Sequence, residues 1–220
     1  FLKSNSCPRS VSLILTQTSL TTESLGILAD TLSKGCNVSE IKLGLNTNRL
    51  GNDGALLFAH ALQSEHCPSK VSLNLANNDI SDKGFIALAE MLKIPNNTQK
   101  ISLNLLFNPS TKLGASALID GMKCGKNRES LNIKYEFSKH GTSIICSLAD
   151  ALKSNECPEE LSLHFGVTHL SKEEVRILFG AVQKINTPNQ LELDLSEQGI
   201  KDEGFTIILD ALSNMNEGLK

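Results

Sequence analysis

A period of thirty residues runs through this chain without a gap, and no other feature limits its fold as tightly. Stepping by thirty from Val71-Ser72-Leu73-Asn74-Leu75, the first position reads Val11, Ile41, Val71, Ile101, Leu131, Leu161 and Leu191. Two residues on stand Leu13, Leu43, Leu73, Leu103, Ile133, Leu163 and Leu193. Two further stand Leu15, Leu45, Leu75, Leu105, Tyr135, Phe165 and Leu195. All twenty-one slots are apolar and alternate with mostly polar residues, the period-two signature of a strand buried on one face.

A turn follows, with Asn48, Asn78 and Asn108 at one shared position, where a side-chain amide can satisfy free backbone groups. A helix comes next. One buried position reads Leu28, Phe58, Leu88, Leu118, Leu148, Leu178 and Ile208, and four residues on come Leu32, Leu62, Leu92, Met122, Leu152, Val182 and Leu212. That spacing puts both on one helical face. Thr21, Ser81 and Ser171 share the expected cap position, and Ser171 with Glu174 reads as a capping box. One strand and one helix cannot bury their own apolar faces, so successive units must stack. The chain is therefore expected to be one α/β solenoid domain over residues 1–220, with seven repeats starting near 11, 41, 71, 101, 131, 161 and 191. Leu2 to Pro8 matches Leu152 to Pro158 at six of seven positions, so residues 1–8 read as the tail of a preceding repeat. The parent chain is expected to extend further at its N-terminus.

The segment from Ser72 to Lys93, SLNLANNDISDKGFIALAEMLK, resembles the ribonuclease-inhibitor-like leucine-rich repeat, L-x-L-x-x-N-x-L followed by a glycine-bearing helix start. Gly54, Gly84, Gly114 and Gly204 match that glycine. The resemblance covers residues 9 to 220 and implies a leucine-rich-repeat horseshoe, with a parallel sheet on the concave face and helices on the convex face. The constant repeat length and Ser/Asn-rich strands also look like the leucine-rich-repeat effectors that intracellular bacterial pathogens inject into host cells. The family's branches include inhibitors, GTPase activators and immune sensors, so fold alone does not select a function.

Composition narrows the partners. A formal charge of −3 and a pI near 6 give no general attraction to phosphate backbones, so no nucleic-acid partner is expected. No apolar run reaches the roughly 18 residues of a membrane helix, and no signal-peptide pattern appears, so no membrane role is expected. A cytoplasmic monomer is the expectation, in the host cytosol if the effector likeness holds.

The chemistry-bearing residues read mainly as structure. Cys7, Cys67 and Cys157 share one repeat position before a proline, Cys36 and Cys124 lie near the same return, and Cys146 falls on a helix. Equivalent positions in adjacent repeats are about 10 Å apart, beyond disulfide reach, so buried, reduced, structural thiols are expected. His60, His66, His140, His164 and His169 show no zinc spacing, and the chain has no phosphate loop and no nucleophile elbow. No catalytic residue, metal or cofactor is expected.

A partner protein is expected on the concave face, held by Asn74, Asn104, Leu106, Phe107, Lys134, Glu136, Phe137, His164, Val167, Glu192, Asp194 and Glu197. Leu106, Phe107, Phe137 and Val167 put apolar groups where the repeat should be exposed, rimmed by charge, as in protein interfaces. A competing possibility concerns packing. Ser110 and His140 stand where other repeats place a buried Leu or Ile, and Phe107 or Phe137 turning inward would fill that space. The expected function is non-catalytic occlusion of a partner enzyme. Alternatives are the targeting arm of a larger ubiquitin-ligase-type effector, or a GTPase regulator using Arg49 as an arginine finger.

Overall fold

The computed structural model describes residues 8–35, 37–95, 98–125, 128–185 and 188–217. Strands and helices alternate along them. The strands are β1 (Ser10–Ile14), β2 (Glu40–Gly44), β3 (Lys70–Asn74), β4 (Lys100–Asn104), β5 (Ser130–Lys134), β6 (Glu160–His164) and β7 (Gln190–Asp194). The helices are α1 (Thr22–Ser33), α2 (Gly51–Leu62), α3 (Asp82–Lys93), α4 (Lys112–Lys123), α5 (Thr142–Leu152), α6 (Lys172–Val182) and α7 (Asp202–Glu217).

The strands form one parallel sheet in chain order, β1 through β7. Each pairing steps by thirty residues, so Val71 lies between Ile41 and Ile101, and Leu73 between Leu43 and Leu103. Each helix packs on the next along the chain. The result is a solenoid-like α/β stack with a strand layer and a helix layer.

Between the layers runs one continuous core. Leu43, Leu73, Leu103, Ile133 and Leu163 enter it from the sheet, and Phe58, Leu88, Leu118, Leu148 and Leu178 enter it from the helices. The alternate strand residues lie on the other, open face of the sheet. Three of the helix positions expected to be buried are less so: Leu28 and Ile208 are partly buried, and Leu212 is exposed, as is the neighbouring Leu209. At β7 the leucines Leu191, Leu193 and Leu195 are only partly buried, because no repeat packs on their far side among the described residues.

The β-to-α turns are held across repeats. The Asn78 side chain is buried; its Oδ1 accepts the Asn48 N–H at 2.9 Å, and its Nδ2 donates to the Leu45 carbonyl at 3.0 Å. Asn108 repeats this one unit on, taking the Asn78 and Ile80 N–H groups and donating to the Leu75 and Leu105 carbonyls. Asn48 does the same for Thr18 and for the Leu15 and Leu45 carbonyls. These bonds require the preceding residue to turn left-handed: φ is 62° at Thr47, 53° at Asn77 and 58° at Phe107.

Helix starts follow a similar logic. Ser171 and Glu174 form the expected capping box. Ser81 differs, making no cap to its own helix. Instead Asn52, from the previous unit, accepts the Ser81 and Gly84 N–H groups, each at 3.0 Å. Asp82 serves Thr111 and Gly114 in the same way. A Cβ at Gly84 would come within 2.5 Å of Ile80 and 3.0 Å of Ala55, so glycine is needed where one helix start approaches the last.

Arg128 is buried and donates to the carbonyls of Thr98, Met91, Leu92 and Ile94, closing the C-terminal end of α3 with a side chain from the next unit. Burial lowers its guanidinium pKa.

Leu75 is fully buried with neighbours on both sides, and Leu75→Ala is expected to cost about 2–5 kcal/mol in urea unfolding. Leu193→Ala is expected to cost less. Equal losses would mean that β7 is as enclosed in solution as β3.

Candidate functional site

Across the open face, one row of side chains reads Gly44, Asn74, Asn104, Lys134, His164 and Asp194. All six lie partly exposed. The two asparagines turn inward on themselves: Asn74 Oδ1 accepts the Ala76 N–H, and Asn104 Oδ1 accepts the Leu106 N–H, each at 3.2 Å. His164 Nδ1 meets Asp194 Oδ2 at 2.5 Å. The Ser196 hydroxyl and backbone N–H, and then His164, hold the Asp194 carboxyl down at about 2. This carboxylate stays charged at any ordinary pH.

The next rows are formed by the turn. Phe107 is 59% exposed and Val167 is 61% exposed. Leu106 between them is half-buried and leans over the neighbouring units. A Cβ at Gly166 would meet its Cδ2 at 2.7 Å, so the glycine makes room for it. Glu192 and Glu197 are exposed at the β7 end, with Glu192 accepting from Ser162 at 2.6 Å.

Two expected contact residues are buried instead. Phe137 is 0% exposed and Glu136 is 6% exposed, so neither can meet a partner without rearrangement. The cause lies in the turn of the fifth unit. Ser138 stands where Asn48, Asn78 and Asn108 supply an amide to three of the other turns, and a serine has none. Residues Phe137–His140 close instead into a 3-10 turn, with Phe137 N–H on the Tyr135 carbonyl.

That turn swings Phe137 into the core between Tyr135 and Phe165, at ring-centroid distances of 5.0 and 5.6 Å. It also diverts the Glu136 carbonyl to the Lys139 N–H. In earlier units that carbonyl would serve the preceding turn, as Leu106 serves Asn77. Here the Glu136 carboxylate takes over, accepting the Phe107 N–H at 2.8 Å, with the Lys139 ammonium 3.2 Å from its other oxygen.

The gap expected at Ser110 and His140 is thus filled by Phe137 and by the Tyr135 phenol. Ser110 Oγ lies 2.7 Å from Tyr135 Oη, which lies 2.5 Å from His140 Nε2. Burial pushes the Tyr135 phenol up. Burial first, and then Lys139, pull the His140 imidazole down against the opposing pull of Asp82 and Glu136. Hydroxyl, phenol and imidazole lie under the Lys139 stem as a packed polar cluster, with Lys139 Nζ 5.1 Å from the Tyr135 ring.

Cys67 and Cys157 are buried thiols donating to the Ala61 and Ala151 carbonyls, as structural cysteines would. Cys124 and Cys146 are exposed, contrary to expectation. Cys7 and Cys36 lie outside the described residues. Arg49 is exposed in a left-handed turn beside Thr47, Asn77 and Asp79. No group of three His, Cys, Asp or Glu able to hold a metal occurs among the described residues. None of the described helices is long and apolar enough to cross a membrane. No protein-family model and no curated protein matches the chain.

The His140 pKa is depressed in the folded state, so the unfolded chain binds the proton more tightly. Stability should be full above the ordinary histidine value near 6.5 and fall as pH drops through the depressed one. Thermal melts of the wild type and His140→Gln between neutral and mildly acidic pH check this, and the variant should show a shallower decline.

Proposed function

We propose that this chain is a leucine-rich-repeat protein whose open sheet face is concave and binds another protein without catalysing a reaction. Curvature follows from the two layers: packed helices need about 10 Å each, strands about 4.8 Å, and a shared register must bend the stack toward its strands. A partner enzyme covered by such a face would be inhibited or redirected, and a bacterial effector is the setting that the repeat style favours.

One observation carries the binding reading. Phe107 combines two unfavourable conditions: a left-handed backbone, φ 58°, and a largely exposed aromatic ring. The left-handed region costs a non-glycine residue about 1 kcal/mol or more, and asparagine tolerates it best. Asn77 occupies the same place one unit earlier. A phenylalanine there serves neither the turn nor the core. Flanked by Leu106 and Val167, it is suited to anchor a partner.

Phe107→Asn therefore separates stability from binding. It should leave the unfolding free energy unchanged or raise it by up to about 1 kcal/mol. It should also weaken capture of a partner protein about tenfold or more, corresponding to about 1.4 kcal/mol. Asp194→Lys should chiefly slow association at low salt, and Glu90→Lys, on the outer helix layer, should do neither. Quantitative pull-downs from host and source-cell lysates, with unfolding curves for each variant, provide the measurement. Capture lost with Glu90→Lys and kept with Phe107→Asn would move the site to the helices.

A further inference from the structure

The open face carries a second feature, at the other end of the sheet from Asp194. Lys70 and Lys100 are register neighbours on β3 and β4, and Lys42 on β2 stands opposite Ser72. With Ser102, Asn132 and one carboxylate, Glu40, they line a shallow depression in which the ammonium groups outnumber the acid. Lys42 is tied to Glu40 at 3.3 Å and Lys100 to Glu129 at 2.5 Å. Lys70, between them, makes no ion pair within 4 Å among the described residues, and its register partner Glu40 is the carboxylate that feels its charge. The Ser72 and Ser102 hydroxyls beside it likewise have no hydrogen-bond partner among the described residues.

Spacing decides what such a surface can hold. Neighbouring strands lie about 4.8 Å apart, and alternate residues about 6.6 Å apart along one strand. The three ammonium stems therefore rise from separate points with hydroxyl donors between them. A single phosphate wants donors that converge on one point, and this array does not converge. A row of carboxylates on an extended chain matches it, each meeting an ammonium or a hydroxyl. The opposite end of the face, with Glu192, Asp194 and Glu197, would repel the same segment.

We propose that the β2–β4 end of the open face docks an acidic, extended peptide segment of the protein that Phe107 anchors. The proposal rests on the protein-binding reading above. The charge polarity of the face then fixes which way round the partner lies: acidic segment over Lys42, Lys70 and Lys100, apolar anchor at Phe107, and a basic edge toward Asp194.

A hexaglutamate peptide titrated into the isotope-labelled chain at low salt tests it by amide chemical shifts. The expected result is saturable movement of Lys70 to Ser72 and Lys100 to Ser102, weakened by added salt. The double variant Lys70→Gln/Lys100→Gln should lose about tenfold or more in affinity. Phe107→Asn should leave the peptide affinity unchanged. No saturable shifts, shifts centred elsewhere, equal affinity in the double variant, or equal competition by inorganic phosphate would each overturn the proposal. The peptide readout is independent of Phe107, so failure here leaves the anchor reading standing, and failure of the anchor reading leaves these shifts interpretable.

Discussion

The stack depends on satisfying the backbone of each β-to-α turn once it is covered by the next unit. A buried peptide group left unpaired costs about 1–3 kcal/mol, and the turns around Asn48, Asn78 and Asn108 are buried. Asn48, Asn78 and Asn108 solve this from the neighbouring unit: each amide oxygen takes N–H groups of the previous turn, and each amide nitrogen reaches strand-end carbonyls. A turn is therefore complete only when the following unit is in place. Asn52, Asp82 and Arg128 extend the dependence to the helix ends. Stability in such a stack lies in the interfaces between units more than in the units themselves.

Where the asparagine ladder stops, the surface changes character. Ser138, Thr168 and Gln198 occupy the ladder position in the last three units. Gln198 recovers part of the role by donating to the Gly166 carbonyl, and Ser138 and Thr168 bond each other and Gln198. The fifth turn nevertheless collapses into its 3-10 form, and this collapse links a core change to a surface one. Phe137 fills the core, Glu136 becomes the acceptor for the Phe107 N–H, and Phe107 remains outside. The two residues that flank the gap at Ser110 and His140 thus have opposite fates for one reason.

The sequence made the layers, the register and the core face legible, because a thirty-residue period places every strand and helix position at once. Phe107 and Phe137 show where that legibility ends. They occupy the same repeat position and have the same side chain, so periodicity cannot tell them apart. What separates them is the turn each sits in, left-handed at Phe107 and 3-10 over Phe137–His140, a difference of turn conformation rather than of hydrophobic pattern. Glu136 was hidden more deeply. Its burial follows from a backbone carbonyl lost to the 3-10 turn, which no residue-by-residue reading of polarity contains. Arg128 likewise reads as a surface arginine until the carbonyl ends around it are seen.

Exposed apolar residues are common on any protein, and Ile14, Ile27 and Leu113 on this one are at least as exposed as Phe107. Ile27 and Leu113 sit in helices, and Ile14 sits in a strand, each in a backbone conformation its residue type accepts. Phe107 alone among these combines exposure with a left-handed turn. Gln17, Thr47, Asn77 and Glu197 share its backbone conformation, so the repeat imposes the conformation and only the side chain is free to vary. Four of those five positions carry polar groups, which water solvates. The fifth carries a ring, on a backbone N–H donated to the buried Glu136 carboxylate, beside Leu106 and two units from Val167. Local propensity and solvation both argue against phenylalanine there, and core packing does not argue for it. The proposed binding role of the open face would account for a residue that its own turn and its own core do not call for.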